Sequence, residues 1–254
     1  MLILVILISK RYCGYLALFA VFLLGMSAIL WHGGGDSAAF SPAAAETSVT
    51  VVIDPGHGGE DGGAVADDST EESGLNLAVS LRLREILAFS GQASVMTRTE
   101  DVSLHSDGVR SVHEMKASDL KNRVSLINDI SNAVLISVHQ NSLPSVPSVH
   151  GAQVFYNTVS GGAELAQSVQ DGLNITINAG NEKHCKEIPA SIYLMKHATC
   201  PAILVECGFL SNAGETAQLK EADYQTRLAT TIAAGFLNCT NGVPLNETSE
   251  VKEP

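Results

Sequence analysis

Two histidines and two glutamates stand where this chain could do chemistry. His57 follows the apolar run of VVIDPGH and His139 that of LISVH, so both fall where a buried strand gives way to a loop. A third apolar run, PAILVECGF, delivers Glu206, an acid that a strand interior does not favour, because a buried carboxylate without a partner is costly. Two neutral imidazoles and one carboxylate are a ligand set for catalytic zinc, which keeps a fourth position for water. Hydrolysis there also needs a base, so the chain must supply a second acid. Glu72, on the first turn of the helix expected after the His57 loop, is the candidate ligand, and Glu206 the candidate base. Residue types alone leave that division open, since either acid could hold the metal while the other activates water.

Each of these residues also has an ordinary structural use. Ser69-Thr70-Glu71-Glu72 fits a capping box, with Ser69 as the cap and Glu72 reaching back. Glu206 could pair with Arg98, which follows the apolar stretch 93–97. The pairs His184/Cys185 and His197/Cys200 lack a second CxxC-type pair and read as structural. Serine chemistry is not expected: no Gly-x-Ser-x-Gly elbow is present, and Ser137 has no evident triad acid. The stretch GHGGEDGGA lacks the lysine of a phosphate loop and the spacing of a dinucleotide turn, so its glycines serve close approach of substrate to the backbone.

Strands are expected at 48–54, 93–97, 133–138, 151–156, 191–194 and 202–205, where short β-branched or apolar runs are bounded by Pro, Gly or Asn. Between them, Leu75, Val79, Leu83 and Ile86 recur at helical spacing, and helices are also expected at 122–130, 163–173 and 224–236. This alternation predicts a single three-layer α/β domain over 49–240. A mainly parallel twisted sheet carries helices on both faces, with the site beyond the carboxyl ends of its strands.

Ahead of that domain, Cys13 to Trp31 carry no charge, about 28 Å of helix at 1.5 Å per residue, enough for a bilayer core. Lys10 and Arg11 precede this stretch, so the positive-inside rule predicts a cytoplasmic segment 1–11 and a transmembrane anchor 12–31. A cleaved signal peptide is the alternative, with Ala43-Ala44-Ala45 as its small residues, and either reading places the catalytic part outside the cytoplasm. Segment 32–48 reads as a flexible linker and 241–254 as a polar tail. Lys and Arg number 15 against 27 for Asp and Glu, a net charge of −12 that repels a phosphate backbone, so no nucleic-acid partner is expected. Cys185, Cys200, Cys207 and Cys239 show no disulfide framework and are expected as free thiols.

The segments VVIDPGHGGEDGGAV, EESGLNLAVSLRLREIL, VMTRTED, LKNRVSLIND, LISVHQNS, GAQVFY and PAILVECGFLSN resemble, in order and spacing, the zinc-dependent N-acetylmuramoyl-L-alanine amidases of the bacterial cell wall. The resemblance runs from about Val51 to Phe236. It implies that His57, Glu72 and His139 bind one zinc ion, that Glu206 is the catalytic glutamate, and that the amide joining the lactyl group of muramic acid to L-alanine in peptidoglycan is cut. Asp54 is then a candidate acceptor for a ligand histidine, with Arg98 and Asn141 as candidates to contact substrate or brace the site. Two positions depart from the family pattern: Cys207 replaces the usual Gly or Leu, which suggests an oxidation-sensitive site, and Ser73 replaces the lysine of a Glu-Lys pair.

Within the family, SIYLMKHATCPAILVECGFLSN and the short anchor look most like the sporulation and germination-specific amidases of endospore formers. That narrower likeness implies a role in making the muramic δ-lactam of spore cortex. It also implies functional pairing with a muramic acid deacetylase, an accessory lipoprotein, and a place in the forespore intermembrane space. A non-catalytic peptidoglycan-binding module, or a zinc peptidase or deacetylase of the wall, would use the same residues differently.

Overall fold

The apolar runs at 51–53, 134–138 and 202–205 become the three central strands of a six-stranded sheet. The structure, a computed structural model, describes residues 49–240. The expected anchor 12–31, its flanking segments and the tail 241–254 lie outside the described residues. Among the described residues no helix is long and apolar enough to cross a membrane.

In chain order the elements are β1 (Thr50–Pro55), α1 (Glu72–Phe89), β2 (Ser94–Met96), α2 (Val112–Asn128), β3 (Ala133–Asn141), β4 (Gln153–Tyr156), α3 (Gly162–Thr176), β5 (Lys186–Glu187), α4 (Tyr193–His197), β6 (Ala202–Phe209), α5 (Ala213–Leu219) and α6 (Ala222–Thr240). The sheet order is β2-β1-β3-β6-β4-β5. β2, β1, β3 and β6 run parallel, whereas β4 is antiparallel to β6 and carries β5 parallel to itself. The sheet is therefore mixed, mainly parallel with two reversed strands at one side. The connection over 142–152 contains no helix, and a chain that returns to the sheet without a helical crossover enters it running the other way.

Strand alternation sorts the side chains into two cores. Val51, Ile53, Val134, Ile136, Val138, Ile203 and Val205 face α1, α3 and α6, which supply Val79, Leu83, Leu165, Val169, Ile232 and Phe236. Val52, Leu135, Ala202 and Leu204 face the other way, against Ile127 of α2 and Leu194 and Met195 of α4. Helices thus cover both faces, as expected.

Three local expectations are corrected. The run 191–194 leads into helix α4, which begins at Tyr193, and forms no strand; its apolar residues pack at helical spacing, Leu194 and Met195 with Ala198 just beyond, and a run this short carries no decisive period. α2 begins ten residues earlier than expected, because a capping box forms at Ser111 and Glu114. No such box forms at Ser69, which has φ +67°; α1 instead starts after Glu71, which makes no side-chain cap bond, and leaves the Glu72 carboxylate free for another use.

Candidate metal centre

Alternation along β1, β3 and β6 also sets the chemistry. Counting in twos from Val52, Leu135 and Ala202, Asp54, Ser137, His139, Leu204 and Glu206 all fall on the α2 face. The ladder pairs Asp54 with Ser137 and His139 with Glu206. The loop after β1 then brings back His57, whose backbone is left-handed at φ +62°, a conformation that costs a non-glycine residue and here turns the imidazole toward β3.

His57, Glu72 and His139 each offer a ligand atom, and these atoms all lie within 4.8 Å of one another. His57 Nε2 is 3.3 Å from Glu72 Oε2, and His139 Nδ1 is 2.9 Å from Glu72 Oε1. Ligands about 2.0–2.1 Å from a tetrahedral zinc ion stand about 3.4 Å apart, so the first spacing suits such an ion directly. The two imidazoles meet edge to face, with centroids 5.1 Å apart. Glu72 is buried and its carboxylate is pinned: Oε2 accepts from Ala64 N at 2.9 Å, and Oε1 from Gln140 N at 3.0 Å and Asn76 Nδ2 at 3.2 Å. Burial works against its charge, but His139 and His57 outweigh it and hold the carboxyl far below its usual range.

Two glycines make room for this cluster. A Cβ on Gly56 would stand 2.2 Å from His139 Cε1 and 2.3 Å from its Nε2, and one on Gly63, at φ +72°, would stand 2.5 Å from Glu72 Oε2 and 2.8 Å from His57 Cδ2. His57 Nδ1 meets Asp61 Oδ2 at 3.0 Å, which leaves Nε2 for the cluster. Burial disfavours the His57 cation, yet Asp61 and Glu72 together raise its pKa to about 9. The same negative field favours a metal cation.

Glu206, partly buried, stands beside His139 with its Oε2 shielded and without a hydrogen-bond partner. Burial pushes its carboxyl up to about 7; the His139 charge opposes this and Glu72 adds to it. A cavity of about 430 Å³ opens over Glu206, His57 and His139, walled by Lys116 and Leu120 of α2 and by Ile192, Tyr193 and Leu194. A three-residue ligand cluster and a neighbouring carboxylate that makes no structural bond are the parts of a hydrolytic metal site.

The profile of the N-acetylmuramoyl-L-alanine amidases matches residues 51–238. The chain belongs to this family. It is 36% identical over 187 residues to the germination-specific N-acetylmuramoyl-L-alanine amidase of Bacillus subtilis, an alignment covering 74% of this chain and 78% of the relative. The CwlD amidase of Clostridioides difficile, solved in complex with the GerS lipoprotein, superposes with a TM-score of 0.73 at 33% identity over 76% of this chain and 99% of that one. A second N-acetylmuramoyl-L-alanine amidase, from Clostridium difficile 630, gives 0.67 at 30% identity over 78% and 99%. The protein is thus an amidase whose substrate is peptidoglycan.

Three further candidate residues of this amidase stand around the cluster. Asp54 holds no histidine: it accepts from Thr97, Ser137 and Arg123 at 2.6–2.7 Å, and the acceptor beside a candidate ligand histidine is Asp61. Arg98 does not pair with Glu206. It is buried and donates to the carbonyls of Pro55, Gly56, Ser73 and Glu100, bracing the loop that carries His57 against α1. Asn141 ends β3, accepts from Ser142 N, and does not line the cavity.

All four cysteines within the described residues are free. Cys207 is fully buried on the α1 face, opposite Glu206, and burial drives its thiol far above its ordinary pKa, which makes it inert rather than oxidation-sensitive.

Sequence reasoning missed Asp61, Gln140 and Arg123. Arg123 carried a signal, since it lies on the apolar stripe of Leu120, Val124 and Ile127, where a charge must have a buried partner. Asp61, four residues after His57 in a glycine-rich loop, carried none.

Proposed function

We propose that this amidase is zinc-dependent, with His57, Glu72 and His139 holding the ion and Glu206 as the catalytic base. The observation that carries the proposal is the cluster of those three ligand atoms beside a carboxylate, Glu206, whose Oε2 makes no bond. Zinc, when bound, supplies Lewis acidity that polarises the amide carbonyl and makes a water acidic. Glu206 takes a proton from the water that attacks the lactyl carbonyl and passes it to the departing L-alanine nitrogen, so a pKa near neutrality suits both transfers. Ala64 and Gln140 fix Glu72 through their backbone amides, which keeps it a ligand rather than a mobile base. Tyr193, Ile192 and Leu120 line the cavity over Glu206 and give it apolar surface.

We further infer an extracytoplasmic enzyme, anchored through residues 12–31, that serves spore cortex maturation and germination by freeing the lactyl carboxyl for δ-lactam formation in concert with a deacetylase. Likeness to a germination-specific amidase and to an amidase solved with a lipoprotein supports this role and an accessory lipoprotein partner.

The test is mass spectrometry of purified peptidoglycan incubated with the full chain in detergent and zinc, with and without chelator. Release of stem peptides bearing a free L-alanine amine, abolished by the chelator, is expected. Chelator-resistant release would refute zinc dependence, and cleavage within the peptide or loss of acetyl groups would identify a peptidase or a deacetylase.

A further inference from the structure

The cavity over the site is lined by five acids, Asp54, Asp61, Glu72, Asp119 and Glu206, and by two strong bases, Lys116 and Arg123. Arg123 has nothing left to offer a ligand. Its five N–H groups are all used: Nε on Asp119 Oδ2, Nη1 on Asp54 Oδ1 and the Pro55 carbonyl, Nη2 on the His57 carbonyl and Asp119 Oδ1. Lys116 differs. It is 50% exposed, and its Nζ is 2.8 Å from Asp61 Oδ1, which uses one of three N–H donors. Among the described residues lining the cavity, it is the one fully charged cation with donors to spare.

Asp61 also fixes where that cation stands. One of its oxygens meets Lys116 and the other meets His57, so the ammonium is held at the cavity rim beside the first candidate ligand. Ile192, Tyr193 and Leu194, which line the same cavity, offer apolar surface. An extended substrate leaving the scissile amide along this cleft passes its apolar L-alanine first and its next residue second. In peptidoglycan that second residue is a D-glutamyl unit joined through its side chain, whose α-carboxyl is either free or capped as a carboxamide. Two residues of extended chain put this group about 7 Å from the scissile bond.

We propose that Lys116 is a specificity-determining residue that receives the free α-carboxylate of the second stem residue. The assignment rests on the amidase reading above and deepens it. A held ammonium loses little freedom on meeting a carboxylate, and an ammonium–carboxylate ion pair is stronger than the ion–dipole bond the same ammonium makes to a carboxamide oxygen. In a chain of net charge −12 this cation marks the place where an anionic group of the substrate is admitted.

The test compares kcat/KM of the zinc-loaded full chain on soluble disaccharide tetrapeptides whose second residue carries the free α-carboxylate or the carboxamide. Wild type is expected to prefer the carboxylate by about tenfold or more. Lys116→Met, which keeps the aliphatic stem, should bring that ratio close to one, and Lys116→Arg should retain a clear preference. A wild type without preference, or a Lys116→Met variant that keeps the wild-type ratio, overturns the proposal. So does an equal loss on both substrates, which with lowered zinc content would show Lys116 acting only through Asp61 and His57. Failure of wild type to release peptide from either compound would instead refute the amidase reading beneath it.

Discussion

His139 and Glu206 are register partners on the adjacent parallel strands β3 and β6, so a candidate metal ligand and the candidate base project side by side from one face of the sheet. Their separation is set by the ladder rather than by loop conformation. A site built on strands is held more precisely than one built on loops, and here only His57 arrives on a loop.

Glu206→Gln separates the two roles that residue types left open. The isosteric amide cannot accept the proton of the attacking water, so activity should fall by about 10²- to 10⁴-fold while zinc stoichiometry stays near one. Loss of zinc together with activity would make Glu206 a ligand instead.

Asp61→Ala should leave the fold intact and weaken zinc binding by about 10- to 100-fold, because the His57 ring loses the acceptor that fixes its orientation. Competition against a chelating dye measures this directly. Unchanged affinity would show that Glu72 and the loop backbone orient His57 without help.

A methyl group at Gly56 has nowhere to go but into the His139 ring, whereas one at Gly74, on the surface of α1, meets nothing within 4 Å. Gly56→Ala is therefore expected to abolish zinc binding and activity. Gly74→Ala should be fully active and more stable by about 0.5–1 kcal/mol, the helical preference of Ala over Gly. Parallel thermal melts and zinc titrations of the two variants check the contrast.

Asp54 gives the stability a pH dependence of known sign. Burial alone would raise its pKa, but the Arg123 charge and the hydroxyls of Ser137 and Thr97 outweigh it, and the net effect lowers the pKa from 3.8. A carboxylate whose folded pKa lies below its unfolded one stabilises the fold fully above the unfolded value, and that contribution disappears as pH falls through the folded value. Asp54→Asn leaves Arg123 buried without this partner, so at neutral pH it should cost about 3 kcal/mol or more. Denaturant titrations of both proteins should show the difference shrinking below about pH 4. A gap independent of pH would assign the cost to lost packing.

Where the chain announces its chemistry, it does so through strand ends. The apolar runs before His57 and His139 and around Glu206 are long enough to read as buried strands, and the alternation that puts Val52, Leu135 and Ala202 in one core carries the site residues onto the same face. Glu72 was legible as an acid near a helix start but not as a pinned carboxylate, because the amides that pin it come from Ala64 and from Gln140, 68 residues away. The reversal of β4 was invisible for a similar reason: pairing partners are set by which edge remains open, and GAQVFY reads the same in either direction. Ser69 and Ser111 show the limit of a local motif, since both sequences fit a capping box and tertiary context selected one.

Both margins of the sheet are short. β2 has three residues, and β5 has two, the charged pair Lys186 and Glu187. A sheet that ends this way exposes few unpaired amides and carbonyls to a passing chain, and charged termini discourage the approach further. The amidase is therefore expected to resist joining sheet edge to sheet edge even when concentrated, which keeps association of that kind from obstructing the cleft over Glu206.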